Sequence, residues 1–437
     1  MRQTFILFVL LAKLYVGAQN FDIYDERIFL KDHNYKLKQI DKNNFSDIVK
    51  TVKLTNTTNE LLDPIILLGS SEKLELSVDI LGSDIKSLAY TFIHCDSDWN
   101  ITKINQFEYL DGFNHNYIND YQTSFNTLIE YTYYSVNFPN ENVNFIKSGN
   151  YIILIYDYEL NEPVATKRFM VYENILDIKS IVKKSNLAKN RFDKQIVEFT
   201  VQNHFQNQIV NPHSNLRIVV QQNDDWNSTK SDFKPSFINN KVIEFNNLDD
   251  FAFNGGYEFN DFDLKSVRYL GKNIKNIKRG LVNKNDMILF ELFDDHIFKS
   301  THYDFRYDIN GKYVTSVSEN MNKNNEAEYV IVEFKLLSDK IDEDIYLFGE
   351  LTNWDITDEA KLNYDYESKS YVGRLLLKQG YYNYKYVLLN NKNMIENLDN
   401  NFHETRNQYS IYVYYKPIWQ DYESLIGVAK NNSNSLN

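Results

Sequence analysis

The segment His94-Cys-Asp-Ser-Asp-Trp-Asn100 contains residue types that often carry out chemistry in proteins. A cysteine nucleophile needs a base within reach, and His94 is adjacent to Cys95 in the chain. However, the stretch from Tyr90 to His94 is predicted to be a strand, and neighbouring residues on a strand point to opposite faces. We therefore expect no His94–Cys95 dyad. No cysteine-protease signature surrounds Cys95 either.

The same segment resembles the start of a calcium loop, because Asp96, Asp98 and Asn100 alternate. Such a loop needs a glycine at its sixth position for the sharp turn and a bidentate glutamate at its twelfth. This chain has Ile101 and Phe107 at those positions. We therefore expect no metal at this segment, and the sequence predicts no cofactor and no catalytic residue elsewhere.

A structural role fits the segment better than a chemical one. We interpret His94 and Cys95 as the packed end of a buried strand. Asp96 and Asp98 are expected to hold the following turn through bonds from backbone N–H groups to their side chains. Trp99 is expected to pack over that turn.

The elements that position this segment are predicted to be strands. Aromatic residues make up 15% of the chain, while Gly and Pro are scarce, and aromatic side chains suit a pleated, half-buried surface. Short alternating runs with Asn, Asp and Gly between them predict an all-β chain of tandem antiparallel β-sandwiches of the immunoglobulin-like kind. The clearest alternating runs are Leu74–Ile80, Ile196–Val201, Tyr303–Ile309 and Tyr329–Leu336, while Tyr151–Tyr156 is a continuous apolar run, as expected of a strand buried on both faces.

The first 18 residues have the pattern of a signal peptide: Arg2, an apolar run from Phe5 to Ala12, then Val16 and Ala18 before the cleavage point. No later stretch offers about 18 uninterrupted apolar residues, so we expect an exported protein with no direct membrane insertion. The net charge of −13 argues against nucleic acid as a partner. A single cysteine excludes an internal disulfide.

Two boundaries divide the remaining chain. The first is placed after the strand that ends at Tyr172, and the second lies in the polar run 319–328, which has the composition of a linker. The predicted organisation is a signal peptide at 1–18 and β-sandwich domains at 19–172, 173–320 and 321–437.

An ordered series of motifs resembles the Plug family of the type IX secretion system of Bacteroidota. The series begins with Tyr90-Thr-Phe-Ile-His-Cys-Asp-Ser-Asp-Trp99 and continues with Phe107-Glu-Tyr-Leu-Asp-Gly-Phe113. Later parts of the chain resemble the same family at Gln222-Asn-Asp-Asp-Trp226 and at His403-Glu-Thr-Arg-Asn-Gln-Tyr409. The resemblance covers nearly all of the chain after the signal peptide.

The resemblance implies a function that composition alone does not give. Plug proteins are periplasmic, bind the periplasmic mouth of SprA, the outer-membrane barrel translocon, and seal its pore while the shuttle protein PorV is not bound. No chemistry is attributed to the family. The implied function is therefore that of an interaction protein with no enzymatic activity and no small-molecule substrate.

The C-terminal part supports an alternative. Asp344 to Trp354, followed by the strand region 371–386, is similar to early-set immunoglobulin-like modules that include glycogen-binding domains. In those modules a tryptophan at the position of Trp354 stacks on sugar, and a second aromatic follows the strand region; residues 387–394 contain none. A periplasmic carbohydrate-binding protein is thus the alternative, with Trp354 as a core or interface residue otherwise.

The partner-binding residues are expected in the connection that follows the opening segment. Exposed aromatics at the centre of a contact make effective anchors, and this connection is rich in aromatics and poor in strands. The candidate anchors are Phe107, Tyr109, Phe113, Tyr117 and Tyr121. Internal packing of the connection is an equally open interpretation.

Overall fold

Alternating apolar residues form strands over almost the whole chain, as the sequence predicts. The computed structural model describes residues 46–203, 209–239, 241–282, 285–318, 321–390 and 394–433. The predicted signal peptide lies outside these residues. The prediction of an all-β fold with antiparallel sandwiches is confirmed, since in the described residues nearly all strand pairs are antiparallel and each helix is a single turn.

The first sandwich is built from strands that are contiguous in sequence. One sheet has the order β1-β3-β8-β7, the other β2-β11-β10-β4-β6, and β5 pairs with β9. The elements are β1 (Val49–Asn56), β2 (Ile65–Leu67), β3 (Leu74–Leu81), β4 (Leu88–Cys95), α1 (Gln106–Tyr109), β5 (Leu110–Gly112), β6 (Asn116–Tyr117), β7 (Asp120–Thr123), β8 (Tyr131–Phe138), β9 (Val143–Phe145), β10 (Gly149–Asp157) and β11 (Glu162–Tyr172).

The core of the first sandwich is strongly aromatic. Phe92 contacts the rings of Phe138, Phe145 and Phe169 edge-on, with ring centroids 4.9 to 5.6 Å apart. Edge-to-face contacts of this kind stabilise a core beyond the burial of area alone. Strands β4 and β10 are buried along their whole length, because both faces of their sheet are covered.

The second sandwich starts directly after β11. One of its sheets has the order β12-β13-β17-β16, with β18 also paired to β13. The elements in this part are β12 (Leu176–Lys184), a 3₁₀ turn (Ala188–Asn190), β13 (Lys194–Asn203), α2 (Pro212–Asn215), β14 (Leu216–Gln222), β15 (Asp225–Lys230), β16 (Phe237–Ile238), β17 (Val242–Phe245), a 3₁₀ turn (Asp249–Phe251) and β18 (Phe253–Asn254).

The third sandwich follows within the same stretch of chain. One sheet is β20-β21-β24-β27-β26 with β22 on β24, and the other is centred on β28, which pairs with β19, β23, β25 and β29. The elements are β19 (Asn260–Asp263), β20 (Ile274–Val282), β21 (Asn285–Leu292), β22 (Asp295–His296), β23 (Tyr313–Thr315), β24 (Tyr329–Leu337), β25 (Asp344–Phe348), 3₁₀ turns (Glu350–Thr352 and Asp358–Ala360), β26 (Asn363–Asp365), β27 (Ser370–Lys378), β28 (Gly380–Leu389) and β29 (Ile395–Asn397).

The last two strands return to the second sandwich and complete it. Strands β30 (Gln408–Tyr415) and β31 (Ser424–Asn432) form the sheet β15-β14-β30-β31. Tyr409, Ile411, Val413 and Ile426 are buried in one cluster with residues of β12 to β18. The third sandwich is therefore inserted between β18 and β30 of the second.

The sheets do not follow the predicted boundary at residue 320. Strand β21 pairs in parallel with β24 across that boundary, and β14 pairs with β30. The polar run also differs from a free linker in its described part, from residue 321. The Asn325 carbonyl accepts a bond from the Phe125 N–H, and Glu328 accepts one from the Leu128 N–H at 2.6 Å. Polar composition here reflects hydrogen bonding to the first sandwich.

One predicted strand is absent. The stretch Tyr303–Ile309 alternates in sequence but lies outside every sheet. Its aromatics are used in another way: the Tyr303 hydroxyl donates to Glu258, and Phe305 lies 3.7 Å from the guanidinium carbon of Arg406. Alternation alone could not distinguish a strand from a segment held by side-chain contacts.

A charge cluster joins all three sandwiches. Lys312 of the third sandwich pairs with Asp63 of the first at 3.0 Å and with Asp224 of the second at 2.5 Å, and Lys430 also pairs with Asp63. Burial, followed by the nearby Asp63 carboxylate, raises the pKa of Asp224 to about 7.

The described part of the chain contains no helix with the length and the apolar character that crossing a membrane requires.

Candidate partner interface

The turn after β4 is held by Asp96. Its carboxylate accepts bonds from the backbone N–H groups of Asp98 and Asn100, both at 2.9 Å. Such Asx bonds fix a tight turn without help from regular structure. Trp99 adopts a left-handed backbone conformation in this turn, with φ of 65°. The turn is therefore a rigid feature that projects one tryptophan.

His94 and Cys95 are both buried, and they belong to opposite faces of β4. The His94 ring lies 5.0 Å from the Tyr151 ring, and its nitrogens are 2.9 Å from the Thr102 hydroxyl and 3.2 Å from the Ser148 carbonyl. Burial lowers the pKa of His94 to about 4, so the ring is neutral at pH 7. Gly149 is required here, since a Cβ at that position would lie 2.5 Å from His94 Nε2.

Trp99 packs on the second sandwich as well as on its own turn. Its ring meets that of Trp226 edge-on at 4.9 Å, and the Arg168 guanidinium lies 4.6 Å from the Trp99 centroid. Trp226 in turn stacks on Tyr412 at 5.8 Å. We call these four residues the tryptophan junction. It joins the first and second sandwiches through aromatic and cation–π contacts.

The sequence predicts that the Asp98 side chain holds the turn, but the side chain contacts the second sandwich instead. The Asp98 carboxylate forms an ion pair with Arg217 of β14, in the second sandwich. Next to it, the Ser97 N–H donates to Glu423 at 2.8 Å. The motif that could have been a catalytic or metal-binding loop is thus part of the contact between two sandwiches.

The first sandwich is joined to the third by a buried ion pair. Asp79 and Lys378 are 2.7 Å apart, with side chains that are 1% and 2% exposed. The Tyr329 hydroxyl donates to the same Asp79 oxygen at 2.6 Å. Burial raises the pKa of Asp79 and lowers that of Lys378, so each charge depends on the other for its compensation.

Four of the five candidate anchors are exposed on the first sandwich. Phe113, Tyr117 and Tyr121 are 66%, 52% and 47% exposed, and Phe107 is 74% exposed. Tyr117 lies on β6 and Tyr121 on β7, and these strands end their sheets, each pairing with one neighbour. Exposed edge strands are sites where another chain can add contacts.

Further aromatics extend this surface, and local sequence gave no signal for them. Phe125 is 59% exposed, and Tyr158 meets the Tyr117 ring at 4.9 Å. Tyr158 lies in the loop after β10, about 40 residues away from Tyr117 in sequence. Only the pairing of β4 with both β6 and β10 brings these positions together. We call Phe113, Tyr117, Tyr121, Phe125 and Tyr158 the aromatic edge.

Tyr109 is a correction to the predicted interface. It is only 2% exposed, and its hydroxyl donates to the Phe92 carbonyl at 3.1 Å. Tyr109 and Phe107 lie on the single helical turn α1, which presents one of them to the core and the other to solvent. Phe107 lies further along β4 than Tyr117, since α1 packs on Thr91 and Phe92, whereas Tyr117 lies opposite Ala89.

Trp354 is half-buried between the second and third sandwiches. Its ring contacts Phe348 and Phe259 edge-on at 5.5 and 6.0 Å, and its carbonyl accepts a bond from Asn227 at 2.7 Å. Gly311 is required beside it, because a Cβ there would lie 2.4 Å from the indole. Trp354 is therefore a junction residue, and part of its ring lines a cavity.

Acidic side chains that could suggest a reactive or metal-binding site contact other side chains in the described residues: Asp294 pairs with Lys275 at 3.4 Å. The described part of the chain contains no group of three or more His, Cys, Asp or Glu side chains that could hold a metal ion. Of the neighbouring acids Asp294 and Asp295, the second accepts bonds from the Tyr384 and Tyr386 hydroxyls at 2.6 and 2.7 Å. These carboxylates have structural partners.

Comparison with known proteins connects this architecture to secretion. Residues 49–173 match the family model described as type 9 secretion system plug protein 1st domain. A crystal structure of a hypothetical protein from Parabacteroides merdae superposes with a TM-score of 0.84 and is 31% identical, covering 89% of this chain and 98% of that one. No curated protein sequence matches the chain.

Two streptococcal structures were also aligned. The C-terminal domain of the antigen I/II-family protein AspA from Streptococcus pyogenes gives a TM-score of 0.17 and 6% identity, over 88% of this chain and 99% of that one. The serine-rich repeat adhesion glycoprotein from Streptococcus agalactiae gives 0.15 and 10%, over 89% and 97%. Nothing about this fold follows from scores this low.

The family match spans the first sandwich, which contains both the tryptophan-bearing turn and the aromatic edge. The 31% identical structure is similar to this chain over the second and third sandwiches as well. The chain therefore belongs to the type 9 secretion system plug protein family.

Proposed function

We propose that this protein is a periplasmic plug, exported by the signal peptide at 1–18, that binds the periplasmic mouth of SprA and seals its pore while PorV is not bound. Membership of the plug family connects the chain with type IX secretion. The observation that supports the finer proposal is the aromatic edge, which lies on the sandwich that matches the family model.

The physical argument rests on rigidity and on the kind of anchor. A seal must present a surface that does not fluctuate, since mobile loops would let ions pass. Tyr117 and Tyr121 lie on strands hydrogen-bonded to β4 and β8, so their backbones are fixed. Aromatic anchors gain most when a partner desolvates them. The net charge of −13 affects association rate more than final affinity.

The proposed protein acts by binding alone. Its partner is the translocon, and we attribute no catalytic step, cofactor or nucleic-acid partner to it. The buried His94 and Cys95 support this view, because they belong to opposite faces of β4 and their environment is the packed interior.

The decisive experiment measures outer-membrane permeability to a normally excluded antibiotic. Deleting the gene is expected to raise permeability only in cells that carry SprA. Restoring the protein with Phe113→Ser, Tyr117→Ser and Tyr121→Ser is expected to leave the membrane leaky. The wild-type protein is expected to isolate with SprA, more abundantly from cells that lack PorV.

A matched control replaces three aromatics on the other two sandwiches that are at least as exposed: Phe192→Ser, Tyr269→Ser and Tyr307→Ser. This control is expected to reseal the membrane. Full resealing by the folded edge variant would remove the aromatic edge from the interface. Unchanged permeability in the deletion strain would argue against the sealing function itself.

A further inference from the structure

A cavity of about 370 Å³ lies where the second and third sandwiches meet. Strands β13, β15 and β18 form one wall, and β25, β28 and β29 form the other. Its volume falls within the range of small-molecule sites, about 300–1,000 Å³. Its lining residues belong to the second and third sandwiches, whereas the aromatic edge belongs to the first, so the cavity and the proposed seal share no residue.

The charge of the cavity is opposite to that of the protein. Lys194, Lys230 and Lys385 line it, and Asp225 is the one acidic residue in its lining. The whole chain carries a net charge of −13. A local excess of lysines in such an acidic protein concentrates positive potential in a concave space, which favours an anion.

These lysines lack carboxylate partners in the part of the chain that the structure describes. The Lys385 ammonium lies 5.1 Å from the Phe259 ring and 5.5 Å from the Phe348 ring, and no ion pair or hydrogen bond satisfies it there. Lys230 has only the Phe253 ring, at 5.4 Å. Burial lowers the pKa of both ammonium groups.

Asp225 does not supply the missing counter-charge. Its Oδ1 accepts bonds from the Asn227 backbone N–H at 2.8 Å and from the Asn227 amide at 3.0 Å. Asp225 and Asp399 both act on Lys385, but only from beyond ion-pair distance. An incoming anion would therefore gain charge-assisted hydrogen bonds that the protein itself does not make.

The rest of the lining is suited to a ligand that has hydroxyl groups and an apolar ring face. The amides of Asn254 and Asn397 line the cavity and have no hydrogen-bond partner among the described residues. Trp354 is half-buried, so part of its indole is open to the same space. Amides bind hydroxyl groups, and an aromatic ring contacts the C–H face of a sugar.

We propose that this cavity binds an acidic saccharide, a sugar unit that carries a carboxylate. The carboxylate would lie against Lys385 and Lys230, the hydroxyls would bond to Asn254 and Asn397, and the ring would contact Trp354. Neutral glucans lack the charge that the lysines require and are not ligands of this cavity. The resemblance to glycogen-binding modules gave Trp354 as a sugar contact only as an alternative to a core or interface role, and it gave no lysine; the lysines that select the charge come from two sandwiches.

The first experiment uses the wild-type chain. Digalacturonic acid is expected to bind in calorimetry with a Kd below about 1 mM and to weaken as salt is raised. Maltose is expected not to bind. In parallel, chemical acetylation followed by mass spectrometry should show that digalacturonic acid protects Lys385 and Lys230 and does not protect the exposed Lys416.

The second experiment uses variants. Lys385→Gln is expected to weaken digalacturonate binding about tenfold or more, the effect of losing a charge-assisted contact. Lys416→Gln is the matched control and is expected to bind like wild type. If Lys385→Gln does not fold, the protection pattern on the wild-type chain decides alone.

Results of three kinds would overturn the proposal: no binding, no dependence on Lys385, or no preference for a sugar. One is the absence of saturable binding of digalacturonic acid to the folded wild-type protein. Another is equal protection of Lys416 and Lys385, or unchanged affinity in folded Lys385→Gln. The third is equal affinity for acetate or for a glutamyl-glutamate peptide, which would show an anion site with no preference for a sugar.

Discussion

Two groups of residues on the first sandwich differ in what covers them. The tryptophan junction and the Asp79–Lys378 pair join it to the other two sandwiches through buried contacts. The aromatic edge has large rings in solvent, two of them on strands that end their sheets, even though the Phe125 backbone N–H bonds to the Asn325 carbonyl. Similar residue types thus hold the molecule together in one place and remain available to a partner in the other.

The difference shows how to separate architecture from binding. A residue of the buried contacts between sandwiches is expected to affect stability when it is changed, because its partners are left buried and uncompensated. A residue of the aromatic edge is expected to affect binding with little change in stability. The following predictions test this contrast.

The largest effect is expected at the buried ion pair. Asp79→Ala should lower the free energy of unfolding by about 3–5 kcal/mol, because it leaves the Lys378 ammonium buried without its counter-charge. Chemical denaturation followed by tryptophan fluorescence measures this change.

Two controls refine that measurement. Replacing both partners, Asp79→Leu with Lys378→Met, should recover most of the loss, since no charge remains buried. Glu359→Gln breaks the more exposed Lys50–Glu359 pair, at 2.9 Å, and should change stability by less than about 1 kcal/mol. A loss below about 1 kcal/mol in Asp79→Ala would contradict the importance of the pair.

A smaller effect is expected at the opening motif. Cys95 is 1% exposed, so Cys95→Ser should lower the free energy of unfolding by roughly 1–3 kcal/mol by placing a hydroxyl in a packed interior. Copurification with SprA should be unchanged at a temperature where the variant is folded. A normally stable variant that no longer binds SprA would assign Cys95 to the interface and not to the packing.

The smallest stability effect is expected at the aromatic edge. Phe113→Ser should change the free energy of unfolding by less than about 0.5 kcal/mol, because its ring is 66% exposed, and Tyr121→Ser by less than about 1 kcal/mol, because its ring is 47% exposed. Tyr109→Ser, one short segment away, should cost several times more, since Tyr109 is buried. Comparable losses at all three positions would remove the contrast between edge and interior.

Much of the local structure could be read from the chain. The alternation of Leu74–Ile80 and of Tyr329–Leu336 became β3 and β24, because a strand with one buried face needs an apolar residue at every second position. The continuous apolar run at Tyr151–Tyr156 became β10, which is buried on both faces. The absence of a His94–Cys95 pair also followed from strand geometry alone.

The partners of those strands could not be predicted from periodicity. Alternation specifies which face of a strand is buried, but it does not specify the neighbouring strand. Strand β14, for example, pairs with β30, which lies nearly 200 residues later in the chain. For the same reason the third sandwich was not recognised as an insertion. Alternation also predicted a strand that does not form: Tyr303–Ile309 lies outside every sheet, and its aromatic side chains contact Glu258 and Arg406.

By itself, the sequence determined the all-β class, the burial of the opening motif and a set of candidate anchors. Only the tertiary structure decided which of these aromatic side chains are buried and which are exposed. Tyr109 and Phe107 differ in exposure because α1 presents Tyr109 to the core and Phe107 to solvent. Trp99 contacts Trp226 because the turn held by Asp96 places its ring against the second sandwich. Contacts between distant segments depend on how the sheets pack, and no local pattern encodes that packing.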